Sequence, residues 1–168
     1  MNGRRGYRER GSVQGLVTAM AIPLALGSVA TLISAGQIRA FPSLEHPPLT
    51  PAWWMFPVVW TILYLMIGTA SYLVYLWQGP DQRMRRAKRR AISLYAGQLA
   101  ASLLWPILFF RLGWHYLAFA VLLVLWGLIA ATIVQARVVS MRAGALFVPY
   151  LLWVAFAGYL NLGVALLN

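Results

Sequence analysis

The sequence predicts an all-α membrane protein, a bundle of five transmembrane helices. Three observations carry that prediction. Of 168 residues, 61% are hydrophobic and 10% charged, at a mean hydropathy of +0.71, far from the make-up of a soluble domain. Five apolar runs reach the roughly 20 residues that a bilayer crossing needs. The basic residues gather in the short segments between those runs, where they set topology.

Taken in order, residues 1–12 form a basic tail with Arg4, Arg5, Arg8 and Arg10. The apolar run 13–33 follows. A cleaved signal peptide has the same charged start but a shorter apolar core ending at a small-residue cleavage site, so this run reads as a retained helix, kinked at Pro23. The remaining spans run over about 51–77, 91–110, 115–136 and 145–167, and no charged side chain falls inside any of the five. Pro57, Pro106 and Pro149 predict bends in three of them, with the freed carbonyls satisfied by neighbours or water. The one long loop, 35–50, holds Pro42, Pro47 and Pro48 beside Glu45 and His46 and reads as a stiff cover rather than a tether. Residues 13–168 thus make one membrane domain, with no internal repeat and no soluble domain.

With five spans, Arg4, Arg5, Arg8, Arg10, Arg83, Arg85, Arg86, Lys88, Arg89, Arg90, Arg137 and Arg142 share one side, and only Arg39 and Arg111 lie on the other. The N-terminus is therefore expected in the cytoplasm and the C-terminus outside. The net charge of +11 reads as topology and anionic-lipid affinity rather than nucleic-acid binding. Cysteine is absent, which removes disulfides, thiolate catalysis and Cys-based metal sites. Two histidines make no metal box, so neither a metal nor a required cofactor is expected. His115 reads as interfacial; His46 reads as a loop residue or a contact for a ligand.

At 3.6 residues per turn, the second span presents Trp53, Pro57, Trp60, Tyr64, Gly68, Ser71 and Tyr75 on one stripe. The third presents Tyr95, Gln98, Ser102, Trp105 and Phe109, and the fifth Tyr150, Trp153, Ala157 and Asn161. Lipid offers amides and hydroxyls nothing, so these stripes are expected to converge on a chamber inside the bundle. Trp77, Trp114, Tyr116 and Tyr7 fit an interfacial belt instead. For Trp60, Tyr64, Trp105 and Trp153, which lie deeper, pocket lining competes with plain helix packing. An aromatic chamber suits a flat, fused-ring apolar molecule. Gly97 and Ala101, flanked by Ala96 and Ala100, form a small-residue face that serves either a homodimer or packing within the chain.

The run from Pro47 to Tyr64, PPLTPAWWMFPVVWTILY, resembles the signature of the translocator protein family, the TspO/MBR group of tryptophan-rich sensory proteins and peripheral-type benzodiazepine receptors. The likeness resumes at Leu94–Ala100, Trp105–Pro106, Phe109–Phe110 and Pro149–Ala157 with Leu160–Asn161, and covers most of the chain from Pro47 onward. The resemblance implies a five-helix bundle, often dimeric, that binds porphyrins, sterols and synthetic aromatic ligands beneath its first long loop. It puts the tryptophans of light-dependent porphyrin breakdown at Trp60 and Trp153. Other pocket positions fall on Tyr64, Phe110, Ala157 and Asn161, with Trp54 beside the lid and the dimer contact at Gly97 and Ala101. Ser102-Leu103 stands where relatives often carry Asn and an aromatic residue, which weakens one polar contact and removes one ring. The C-terminal sterol motif is missing, although Arg111–Tyr116–Val121 fits its reversed form, so tetrapyrrole is a better ligand than cholesterol.

Three functions follow. The first is a membrane sensor that binds tetrapyrrole or a similar fused-ring molecule, with membrane lipid and a second copy of itself as further partners. The second is a porphyrin-degrading enzyme that uses light, with Trp60 and Trp153 as its working residues. The third is passive transport of tetrapyrrole or sterol; no ionisable residue at mid-membrane supports a proton-coupled pump. Short loops and no presequence point to a bacterial cell membrane, whereas the family has also been placed in outer membranes.

Overall fold

A computed structural model describes residues 11–38 and 43–168. The chain forms α1 (Val13–Ile38), α2 (Met55–Leu76), α3 (Gln82–Pro106), a π-helical turn (Ile107–Arg111), α4 (His115–Val139), the short α5 (Met141–Leu146) and α6 (Val148–Leu167). Among the described residues, five helical segments are long and apolar enough to cross a membrane, α3 with its π turn and α5 with α6 each counting as one. Tyr7 and Arg39, and with them the basic tail 1–10, lie outside the described residues.

The helix ends are set by local chemistry. Ser12 caps α1 by accepting from Gly15 N at 3.0 Å, Asp81 caps α3 by accepting from Met84 N at 3.0 Å, and Ser140 caps α5 by accepting from Ala143 N at 3.3 Å. Gly113, at φ +66°, ends the π turn. Around it Leu112 N donates to Ile107 O and Trp114 N to Leu108 O, at 3.1 and 3.0 Å, a left-handed closure that suits glycine.

Helix boundaries differ from the sequence expectation at several points. Helix α1 runs on to Ile38 and α4 to Val139, past the expected 33 and 136, so the first residues of the expected loop 35–50 are helical. Helix α3 starts at Gln82 rather than near 91, because arginine and lysine are good helix formers and Asp81 supplies the cap. The Arg83–Arg90 cluster is thus the helix's basic first turns, not a loop. Helix α2 starts at Met55 rather than 51, which leaves Pro57 in the first turn, where no helical hydrogen bond is lost and no bend is required. The last span begins earlier, at Met141, and is broken at Phe147; Pro149, which lacks the N–H that would continue α5, sits just past that joint.

The helices alternate in direction. Tyr72 Oη at the end of α2 donates to Ser12 O at 2.8 Å, and Lys88 Nζ near the start of α3 donates to Tyr75 O and Trp77 O at 2.5 and 2.7 Å. Those contacts gather the start of α1, the end of α2 and the basic start of α3 at one end. Arg111 belongs to the other end, where it donates to Ile33 O at 3.2 Å. Trp77, at the basic end, is buried against the core, which removes it from the interfacial belt: the fold turns its indole inward. Trp114 and Tyr116 stay exposed, at 56% and 63%.

Pro23 and Pro106 do lie within helices. Pro23 frees the carbonyl of Ala19, four residues back, and Gly68 of α2 packs on that spot: a Cβ there would lie 2.6 Å from Ala19 O and 2.7 Å from Met20 Cα. Pro106 marks the change from α to π winding, and its own carbonyl accepts from Ser34 Oγ at 3.3 Å. On α4, Leu122, Leu125 and Ile129 are wholly buried and form the apolar centre.

Candidate functional site

The three stripes read from the sequence converge in part: Trp53, Pro57 and Tyr75 of the second span are exposed, and the convergence is carried by Trp60 and Tyr64 with the inward residues of α3 and α6. Ser102 Oγ of α3 and Tyr150 Oη of α6 share a hydrogen bond of 2.6 Å. Trp60 of α2 stacks with Trp105 of α3 at 6.0 Å between ring centroids and 29° between planes, and meets Tyr150 edge-on at 6.0 Å. Trp60 also rests on Tyr64 at 5.5 Å, whose ring in turn lies over Gly27 of α1, where a Cβ would collide with it.

Above this stack lies a pocket. Phe56 and Trp60 come from α2, Trp105 from α3, Phe109 and Phe110 from the π turn, and Ala157, Leu160, Asn161 and Val164 from α6; His46 and Thr50 come from the long loop. They surround a narrow cleft, part of it open to the outside, whose free space in this structure is that of about one water molecule. The π turn matters here. Its wider winding lets adjacent residues 109 and 110 both reach the pocket, their rings 4.9 Å apart and nearly perpendicular, and π turns recur at functional sites.

The pocket's polar groups are largely engaged with the protein. Asn161, 1% exposed, accepts from Trp105 Nε1 at 2.9 Å and donates to His115 O at 2.7 Å. It therefore fixes the Trp105 ring so that the indole N–H faces α6 and the ring face is left for contact. Thr50 Oγ1 donates to Pro47 O at 2.7 Å.

The loop is latched over the pocket by α6. Pro47 is buried on Gly163, where any Cβ would meet the proline ring. Tyr159 Oη donates to Pro48 O at 2.9 Å, and Asn168 and Glu45 exchange two hydrogen bonds of 3.0 Å through the asparagine amide and the glutamate backbone. Leu49 takes a left-handed φ of +68°, so the loop is held in a turn that a bulky residue adopts only under constraint.

Of the residues singled out in the sequence, Trp60, Trp105, Phe110, Ala157 and Asn161 line the pocket. Tyr64 and Ser102 stand behind it, buried, supporting Trp60 and Tyr150. Trp153 lies to one side, edge-on to Phe56 at 6.0 Å, its buried indole N–H without a hydrogen-bond partner. Trp54 is exposed in the turn before α2 and is not among the lining residues. Gly97 faces Leu128 of α4, 3.4 Å from where a Cβ would sit, and Ala101 packs on the core, while Ala96 and Ala100 are exposed. Phe56, Leu160 and Val164 were not picked out from the sequence, although Phe56 lies one turn before Trp60 and the other two continue the Ala157–Asn161 stripe. Among the described residues no three His, Asp or Glu side chains gather as a metal site.

Comparison with known proteins places these features in context. The sequence model of the TspO/MBR family matches residues 19–167. The chain is 38% identical over 144 residues to the Translocator protein of Ovis aries, covering 83% of this chain and 82% of that one. It is 36% identical over 128 residues to the Tryptophan-rich sensory protein of Cereibacter sphaeroides, covering 76% of each. It is 32% identical over 154 residues to the Tryptophan-rich protein TspO of Archaeoglobus fulgidus, covering 91% and 96%.

Proposed function

The chain belongs to the TspO/MBR family of integral, multi-pass membrane proteins, and from that premise we propose that it is a sensor that binds porphyrin, or a similar flat fused-ring molecule, in the pocket beneath the loop. The observation that carries the reading is the Trp60–Trp105 stack with Phe56, Phe109 and Phe110 around one partly open cleft. Ring faces and edges over a large area suit a planar aromatic guest, and binding would draw on apolar burial at roughly 25 cal/mol per Å² before ordering costs. Ala157 has the smallest side chain on that wall, and the surrounding rings would have to part to admit the guest. The N-terminus is cytoplasmic, in line with the Arg83–Arg90 helix turns, in a bacterial cell membrane. A second copy packs against the outer face of α3, where Ala96 and Ala100 are exposed beside Gly97 and Ala101.

A second reading, light-dependent porphyrin degradation, draws support from the ring chain itself. Tyr64, Trp60, Trp105 and Tyr150 are linked through Trp60 at centroid distances of 5.5–6.0 Å, and such side chains can exchange electrons with an excited guest. The photochemistry would be the ligand's own, with Trp60 and Trp153 as the candidate working residues.

Both readings are tested by titrating the purified protein with protoporphyrin in the dark, following tryptophan quenching, and then recording absorbance under illumination. A Trp60→Phe/Trp153→Phe variant is run alongside. Saturable quenching with a spectrum unchanged in light supports the sensor. Loss of the porphyrin band that needs both tryptophans supports the enzyme. No saturable binding rejects the tetrapyrrole assignment altogether.

A further inference from the structure

The outer side of the long loop carries large apolar side chains that the pocket does not use. Residues Pro47–Thr50 form a turn, closed by Thr50 Oγ1 on Pro47 O, with Pro48 in its second place and Leu49 in its third at a φ of +68°. A third place of left-handed φ ordinarily goes to glycine or asparagine, because a Cβ crowds the following carbonyl. Leu49 is also 81% exposed, so the chain itself covers little of the side chain that this strained backbone carries. Strain that nothing inside the molecule offsets points to a contact outside it.

Two more large side chains stand beside it in the sequence. Trp53 and Trp54 are 69% and 56% exposed. Trp54 caps α2 with helical dihedrals, φ −68° and ψ −19°, so helical spacing puts it on one stripe with Val58, Ile62 and Leu65. All three are exposed on a helix long and apolar enough to cross the membrane, which makes that stripe the lipid-facing side of α2. Trp54 lies one turn above it. From Pro47 to Pro80 the sequence holds no charged residue, so no charge separates the loop's outer face from the lipid-facing stripe. At the same end Trp114 and Tyr116 are exposed at the head of α4, beside the His115 carbonyl that Asn161 holds.

We propose that Leu49, Trp53 and Trp54 anchor the loop in the bilayer leaflet on its side, with the leucine among the upper acyl carbons and the two indoles at headgroup level. Tryptophan suits that depth because its ring is apolar and its N–H finds acceptors among the headgroups. A second protein would have to reach this strip past the lipid that already surrounds α2. The loop is then held on both sides: α6 holds its inner side through Pro47 and Pro48, and lipid holds its outer side. Opening the roof of the pocket requires drawing three large apolar side chains out of the bilayer, whatever the pocket binds.

The chain lacks cysteine, so Leu49→Cys gives a unique place for a nitroxide label. In lipid nanodiscs its relaxation is read with oxygen, which concentrates in lipid, and with a water-soluble nickel chelate. Val124→Cys, on the exposed face of α4, and Glu45→Cys, exposed in the loop, are the lipid and water references. The expected oxygen-to-nickel ratio at the Leu49 position is several-fold that at the Glu45 position and approaches that at the Val124 position. A ratio equal to that of the water reference overturns the proposal. Shielding from both reagents overturns it too, and spin coupling between labelled copies would then identify a second molecule of the protein as the cover. A further measurement needs no substitution: proton spin diffusion from the lipid acyl chains, by solid-state NMR on the unmodified chain in bilayers, should reach the Leu49 methyls as fast as those of Val124. Build-up as slow as at Leu125, wholly buried in the bundle, overturns the anchor even where the labelled variants do not fold.

Discussion

Asn161 joins three parts of the pocket: α6, the Trp105 indole and the backbone where α4 begins. Replacing it with leucine keeps the volume and removes both bonds, leaving Trp105 Nε1 and His115 O facing an apolar side chain. Measured polar pairs inside membrane proteins average roughly 0.6 kcal/mol, so two of them set a floor near 1 kcal/mol. Orphaning a buried donor or acceptor costs about 1–3 kcal/mol in proteins generally, and the low end of that range for two groups gives about 2 kcal/mol. Asn161→Leu should therefore destabilise the bundle by about 1–2 kcal/mol, read by denaturant unfolding in bicelles. The sharper assay is a double-mutant cycle with Trp105→Phe, which removes the same indole bond from its other side. If Asn161 acts by holding Trp105, the two changes couple by roughly 1 kcal/mol. Coupling below about 0.3 kcal/mol, the ordinary error of additivity, would refute the claim that this residue works through the tryptophan.

Other perturbations follow from the same geometry. Gly68→Ala sets a methyl against Ala19 O and Met20 Cα, and overpacking of that kind costs about 1–3 kcal/mol; thermal unfolding should show it, while Gly127→Ala, with open space around it, should be neutral. Ala157→Phe fills the pocket wall and should abolish saturable protoporphyrin quenching in the dark; because Ala157 is buried, the ring should also overpack the site at a cost of about 1–3 kcal/mol, read as a lower unfolding midpoint in a protein that still folds. Tyr159→Phe removes one hydrogen bond from the loop latch, and at about 1 kcal/mol should speed protoporphyrin release by roughly fivefold in stopped-flow displacement. An unchanged off-rate would mean that the ligand does not leave past the loop.

Much of this architecture could be read from the residues in advance. Five spans followed from hydropathy because lipid demands it, and the aromatic stripes followed from helical spacing because amides and hydroxyls avoid lipid. Trp60 and Trp105 were expected on inward faces and stack face to face. What escaped were features that depend on contacts rather than periodicity. A hydropathy profile sees Arg83–Arg90 as a break, yet a cap at Asp81 and good helix formers carry α3 straight through it. Trp77 reads as an interfacial anchor until the fold turns it inward beside the carbonyl that Lys88 holds. The π turn after Pro106, which admits Phe109 and Phe110 together, has no signature beyond the proline and Gly113. Phe56 was overlooked because the chosen stripe passed through Trp53 and Pro57, both of which stand outside the bundle.

The latch on the loop also has a meaning in time. Tyr159 and Pro48 lie 111 residues apart in the chain, and Pro47 seats on Gly163 of the last helix. Contacts at such separation form late, and a chain made from its N-terminus delivers the loop long before α6. Until α6 is inserted and docked, the Trp60 side of the site lacks both its opposite wall and its roof. The newly made protein thus passes through a stage in which the aromatic surface is open to whatever the membrane contains. A hydrophobic guest present at that moment can be built in rather than admitted, and the bundle would close around it.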